Sequence, residues 1–286
     1  MGAASTVVRR ARNLPRWAVA RCVDRGLLRG RSDYARFVAL GWYRTGSNLL
    51  LSLLNSDPAV AAYSELFSPR GVFWGNAVYA PPLADDAARA ERAADGAAFL
   101  RRRVFRPHPA GVRAVGFKLF YPQVLEKPLP GLTEALRADP ALRVLHLRRR
   151  NLFRVLVSTR VSKSTGQMAA TSEDDVEEAQ RGVAAERFEP EECRAFFELL
   201  ERRAAACEAV FDAARVTSVV YEDLVADRGR EMARVRAALG LPAAAATTRL
   251  VPQTTRPLAE LVSNLDELRA AFAGGPYAAF FEASAS

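Results

Sequence analysis

A turn of charged, hydroxyl and amide side chains divides two apolar runs near the start of the chain: Phe37-Val38-Ala39-Leu40-Gly41 leads through Trp42 and Tyr43 into Arg44-Thr45-Gly46-Ser47-Asn48, and Leu49-Leu50 follows. The chemistry this suits is anion binding. A helix start leaves its first backbone N–H groups without partners inside the helix and carries a partial positive charge, so an anion on the Thr45–Asn48 turn meets ready donors. Arg44 adds a full charge beside them. A plain strand-to-helix connection competes as the reading of so short a motif, and a second site has to agree with it.

A second site lies about a hundred residues on. Arg143-Val144-Leu145-His146-Leu147 alternates as a buried strand, and Leu152, Val155 and Leu156 fall at helical spacing behind it. Arg150 therefore stands at a strand's C-terminal end, and Ser158 about two helical turns further along. Planar guanidinium groups suit bidentate recognition of phosphate. For Arg148 or Arg154 taken singly, solvation of a helix start is the simpler reading.

Gly41 and Gly46 have the spacing of a Walker phosphate loop, where Lys and then Ser or Thr follow the second glycine. Here Ser47 and Asn48 follow it. The cradle remains without the groups that handle a nucleoside triphosphate and its magnesium, which points to a smaller anion and metal-free chemistry. Arg44-Thr45-Gly46-Ser47-Asn48-Leu49-Leu50 resembles the 5′-phosphosulfate loop of the PAPS-dependent sulfotransferases, which move a sulfuryl group from 3′-phosphoadenosine 5′-phosphosulfate (PAPS) to an acceptor. Arg150 and the Ser eight residues later are similar to the pair that binds the cofactor's 3′-phosphate in that family. Tyr221-Glu222-Asp223-Leu224 resembles a stretch at the end of a late core strand there, with an architectural role: Glu222 and Asp223 tie down arginines or cap the next helix.

The resemblance implies a single P-loop-NTPase-like α/β domain, PAPS as donor, adenosine 3′,5′-bisphosphate as product and no metal. Arg44, Thr45, Gly46, Ser47 and Asn48 would hold the 5′-phosphosulfate, and Arg150 with Ser158 the 3′-phosphate. Transfer to a hydroxyl also needs a base close to the phosphosulfate. Glu65, in Tyr63-Ser64-Glu65-Leu66, is the candidate, and bacterial carbohydrate-type sulfotransferases carry a similar Glu; pairing with a nearby Arg is the alternative. Lys118, in Val115-Gly116-Phe117-Lys118, can neutralise charge on the bridging oxygen, although an ordinary surface Lys would read the same. The His that aryl and steroid sulfotransferases place two residues after this Lys is missing: Leu119 and Phe120 follow. In the tail, Gln253, Arg256 and Asn264 resemble positions of some bacterial relatives, while the Arg-Lys-Gly motif of the aryl enzymes is absent.

Composition agrees with a soluble enzyme. The 286 residues are 50% hydrophobic and 26% charged, enough for a substantial core. No apolar run approaches the ~20 residues that span a bilayer. Three scattered cysteines, Cys22, Cys193 and Cys207, argue against a disulfide framework and for a reducing, cytoplasmic setting. With only His108 and His146 as imidazoles, no zinc site is expected. The net charge of +9 is concentrated: residues 1–31 hold eight arginines against Asp24 alone, +7 of the total. Residues 1–33 therefore read as a basic extension and 34–286 as the catalytic domain. That extension can lie on an anionic membrane surface, pack on the domain as a helix, or form a disordered arm.

Strand and helix alternate as a mostly parallel sheet flanked by helices requires. Strands are expected at 36–42, 61–66, 114–118, 143–147 and 216–221, and helices at 46–55, 152–163, 191–214 and 228–239. All the motifs fall at strand C-terminal ends, where ligands gather in such sheets. Segments 68–112, with Trp74 and Tyr79, and 164–190, with acidic Glu173 to Glu178, are left for acceptor and lid. The acceptor reads as a carbohydrate, glycolipid or secondary-metabolite hydroxyl, with no nucleic-acid partner. Two competing functions are a kinase-like phosphotransferase, disfavoured by the missing Walker Lys, and a non-catalytic module using the basic arm.

Overall fold

The computed structural model describes residues 15–76, 78–126, 129–166, 178, 182–250 and 256–282. Strands β1 (Ala35–Gly41), β2 (Val60–Tyr63), β3 (Ala114–Phe120), β4 (Leu142–Arg148) and β5 (Val216–Val220) form one sheet in the order β2-β3-β1-β4-β5, with every pairing parallel. All seven residues of β3 and all four of β2 are buried, so these strands need cover on both faces, which is why they read as continuous apolar runs.

The cover comes from helices numbered along the chain: α1 (Arg16–Asp24), α2 (Ser47–Asn55), α3 (Asp85–Ala94), α4 (Gly96–Phe99), α5 (Tyr121–Leu125), α6 (Leu132–Ala138), α7 (Leu152–Thr165), α8 (Pro190–Glu208), α9 (Tyr221–Ala226), α10 (Arg228–Ala238), α11 (Leu258–Leu261) and α12 (Leu265–Phe272). On one face, Leu50, Leu53 and Leu54 of α2 and Met232 and Val235 of α10 pack on Leu145 and Leu147. The other face buries Val38, Leu40 and Phe117 beneath elements that include Phe99, Ala204 and Phe211. A third cluster, centred on Phe153, Phe197 and Phe281, joins α7 and α8 to the C-terminal helices. Burying each such side chain contributes about 1.5–3 kcal/mol.

β1 lies between β3 and β4: its own connection runs to β2 on one side and the connection from β3 crosses to β4 on the other, which opens a crevice at the C-terminal end of β1. The strand expected to reach Leu66 stops at Tyr63, which leaves Glu65 on the loop beyond it. The helix expected to run to Ala214 stops at Glu208, and Asp212 caps a short turn by accepting from Ala214 N. Tyr221, expected to end a strand, starts α9.

Of the three readings for the basic N-terminal segment, its described part takes the packed one. Ala20 of α1 is fully buried, Asp24 pairs with Arg21 and Arg106, and Arg31 exchanges backbone hydrogen bonds with His108. Residues 1–14, the acidic positions 173–177 and Gln253 lie outside the described residues. No helix among the described residues is long and apolar enough to cross a membrane.

Candidate active site

The turn after β1 is strained at Arg44. Arg44 is a non-glycine residue at φ 64°, a left-handed conformation that costs about 1–3 kcal/mol and is retained where a site requires it. Gly46 caps α2 at φ 93°, and a Cβ there would come within 2.3 Å of the Tyr221 ring. No other residue fits both its backbone and its neighbour. Thr45 turns inward, donating to the Trp42 carbonyl at 2.8 Å, and Ser47 is buried in the first turn of α2.

Cations crowd this turn. Arg44 Nε donates to Ser158 Oγ at 3.1 Å, so the loop and the middle of α7 meet as the two motifs require. Arg149 lies over the Tyr221 ring, 4.7 Å from its centroid, with Nη1 3.4 Å from the Arg44 carbonyl. Its side chain is 8% exposed, its carboxylate partner Glu222 stands 3.7 Å off, and its Nε is buried without a hydrogen bond among the described residues. Desolvation and then the charge of Arg149 push Arg44 and Arg154 below their ordinary values, and desolvation does the same to Arg149 itself. Guanidiniums held together out of water are suited to take up an anion's charge. A cavity of about 240 Å³ opens beside them, with Trp42, Thr45, Tyr121 and Arg148 to Arg150 in its wall.

Arg150 is built differently. Its side chain is 60% exposed and gives two hydrogen bonds to Asp223, at 2.7 and 2.8 Å, while its backbone N–H donates to Glu222. Those bonds to Asp223 raise the pKa of its guanidinium. The structure therefore joins Arg44 to Ser158 and turns the Arg150 side chain outward, with Arg149 in the position facing the loop. Sequence reasoning passed over Arg149, yet strand parity locates it. Leu145 and Leu147 face α2, and carrying the strand's alternation one position past the end of β4 points Arg149 to the same side, where it meets Tyr221 and the Arg44 carbonyl.

At the other end of the crevice, Lys118 Nζ donates to Asn48 Oδ1 at 2.8 Å and stands 3.1 Å from Glu65 Oε1. The Lys118 side chain is 3% exposed. Burial lowers its pKa, Glu65 opposes that, and Arg44 adds to it. Lys118 thus links the first turn of α2 to the candidate base. Glu65 has Lys118, not an Arg, as its ion-pair partner among the described residues.

The aromatic pair beside them is Tyr43 on Phe120, with ring centroids 4.2 Å apart, and the Glu65 charge is felt at the Tyr43 hydroxyl, whose pKa burial raises. Of Trp74 and Tyr79, expected in the acceptor region, Tyr79 is core and donates to the Pro58 carbonyl, while Trp74 is half-buried and packs on Tyr63 and Phe99 at the edge of the core. In the tail, Asn264 binds the Phe188 backbone and Arg256 pairs with Glu260, so neither side chain is directed to the crevice by its bonds.

The model of the "Sulfotransferase family" matches residues 37–245, which contain the turn, Glu65, Lys118, Arg149, Ser158 and Tyr221. The chain belongs to the sulfotransferase family. Two relatives named Nodulation protein H agree with this: that of Rhizobium tropici is 32% identical over 86% of this chain and 92% of its own length, and that of Rhizobium meliloti (strain 1021) is 34% identical over 86% and 94%. A solved sulfotransferase from Alicyclobacillus acidocaldarius aligns over 86% of this chain and 94% of its own, at 19% identity with a TM-score of 0.48. The crevice at the end of β1 is thus the active-site candidate of a sulfotransferase, an enzyme of sulfuryl transfer.

Proposed function

We propose that this sulfotransferase moves the sulfuryl group of PAPS to a hydroxyl of a carbohydrate, glycolipid or secondary-metabolite acceptor by in-line displacement. The observation that carries the reading is the Lys118 ammonium, bonded at once to Asn48 of the anion turn and to Glu65. A general base and an anion cradle joined through one cation are what this transfer requires.

PAPS supplies an activated sulfuryl group. Arg44, Arg149 and the amides of Thr45 to Asn48 would hold the 5′-phosphosulfate. Glu65 takes the proton of the acceptor hydroxyl as its oxygen bonds to sulfur. Lys118 offsets the charge left on the bridging oxygen as the old sulfur–oxygen bond breaks. Ser158 and Arg150 are assigned to the 3′-phosphate, the latter after leaving Asp223; exposed pairs of that kind contribute about 0–1 kcal/mol, so the exchange is inexpensive. Tyr43 on Phe120 would line the acceptor side.

Titration calorimetry with adenosine 3′,5′-bisphosphate in the absence of magnesium tests the donor site. Micromolar binding by the wild type that Arg150→Ala and Ser158→Ala both weaken supports the assignment and warrants an acceptor screen with labelled PAPS. A folded wild type that ignores this nucleotide but turns over ATP with magnesium would replace sulfuryl transfer by a kinase reading.

A further inference from the structure

Glu65 lies on an irregular loop, yet a base has to be held within a fraction of an ångström of its working place. Glu65 O accepts from Ser68 N at 3.4 Å and from Phe73 N at 3.2 Å, closing residues 65–73 into a compact loop. Ser68 O accepts from Gly71 N at 3.3 Å within the loop, which leaves the carbonyls of Leu66, Phe67 and Gly71 in need of donors, because backbone polar groups shut away from water require partners.

Two side chains from outside the loop supply them. Arg92 Nη1 donates to Leu66 O, Ser68 O and Gly71 O at 2.6, 2.9 and 3.0 Å. Gln123 Nε2 donates to Phe67 O at 2.9 Å, while its Oε1 accepts from Phe120 N at 2.8 Å, two residues beyond Lys118. Asp85 accepts from Val72 N at 3.1 Å. Asp85, Ala88 and Arg92 follow the i, i+3, i+7 spacing of one helix face, so α3 runs as a splint along the loop.

Arg92 is 7% exposed, and its bonds go to carbonyl oxygens. Burying a guanidinium without a close carboxylate is unfavourable, and an apolar side chain would serve packing alone better. What the guanidinium adds is convergence: one group fixes three points of the loop that begins at Glu65.

We propose that Arg92 and Gln123 are positioning residues for sulfuryl transfer: they hold the Glu65 loop against the end of β3 so that the carboxylate meets Lys118. The functional half of this inference rests on Glu65 acting as the base; the clamp itself does not.

The test uses the intact chain labelled with ¹³C-lysine. With only Lys118, Lys127 and Lys163 to resolve, the Lys118 signal is assignable. Glu65→Gln is introduced into the wild type and into Arg92→Lys, whose ammonium keeps the charge but sits one bond short of the Nη1 position from which all three carbonyls are reached. The expected result is a Lys118 shift change in the wild-type background that falls to less than half in the Arg92→Lys background, with affinity for adenosine 3′,5′-bisphosphate within twofold throughout. Gln123→Leu serves as the second background should Arg92→Lys fail to fold. Equal shift changes in wild-type and variant backgrounds, or no change in the wild type, overturn the proposal. In turnover, Arg92→Lys is expected to lower kcat about tenfold without weakening nucleotide binding; a loss of both in proportion would reduce Arg92 to a structural role. Failure of the wild type to bind the nucleotide would count against the donor-site reading, while the lysine signal still decides the clamp.

Discussion

The two ends of the crevice are charged in opposite fashions. At the donor end, Arg44, Arg149 and Arg154 are gathered out of water, and burial lowers the pKa of each. At the acceptor end, Lys118 on β3 and Glu65 neutralise one another at 3.1 Å, and the Glu65 loop is held through its own carbonyls by Arg92 and Gln123. The first arrangement is an excess of positive charge that suits an anion. The second is satisfied at rest and has to open only to admit a hydroxyl. In the proposed reaction the contrast separates binding from chemistry: the excess of charge would select the donor, and the balanced pair would serve the proton and the bridging oxygen.

Glu65→Gln gives the sharpest separation. It keeps the shape of the acceptor end and removes its base, so kcat is expected to fall about 10²–10⁴-fold while calorimetric affinity for adenosine 3′,5′-bisphosphate stays within twofold. Equal losses in both would merge the two ends into one binding site.

Arg149→Met removes a buried cation from the donor end. Loss of a charge-assisted contact of about 2–3 kcal/mol weakens nucleotide binding about 100-fold. Relief of repulsion within the cluster should at the same time hold or raise the melting temperature of the ligand-free protein. A drop in that temperature would mean that Glu222 already compensates the charge.

Raising the pH separates the ends without mutation. Burial lowers the pKa of Lys118, so its proton leaves at a lower pH than for an ordinary lysine. The rate needs the protonated form and should decline about tenfold per pH unit above that point, while donor affinity, carried by guanidiniums, persists. A dissociation constant that rises in step with the rate loss would place Lys118 in donor binding.

The smallest effect belongs to the exposed arginine. Arg150→Ala should weaken nucleotide binding about tenfold, less than Arg149→Met. Asp223→Asn should tighten it by a few-fold at most, because the pair it breaks is solvent-screened. An Arg150 effect as large as that of Arg149 would show that the outward side chain turns fully into the site when the nucleotide binds.

Much of this was readable before the fold was known, and the reasons differ by residue. The anion turn and the Arg150–Ser158 spacing follow from local periodicity, since a strand, a tight turn and a helix fix their relative geometry over a few residues. The parallel sheet follows from apolar runs too continuous for a one-sided sheet. Helix ends were less legible: α8 stops six residues short of Ala214, because the Asp212 side chain competes for a backbone N–H, and periodicity does not register such local bonds. Trp74 and Tyr79 looked available because aromatic side chains read alike in a core and in a cleft. Only packing on Tyr63 and Phe99, and a bond to Pro58 O, tells them apart.

By itself, then, the sequence determined the elements and the residue types that stand at their ends, because those follow from interactions within a few positions along the chain. The tertiary structure decided which of three consecutive arginines faces the loop, that Lys118 joins Asn48 to Glu65 across 70 and 53 positions of chain, and that Arg92 steadies the loop carrying the base. These contacts are long-range, fixed by how helices seat on the sheet, and no spacing rule within one segment contains them.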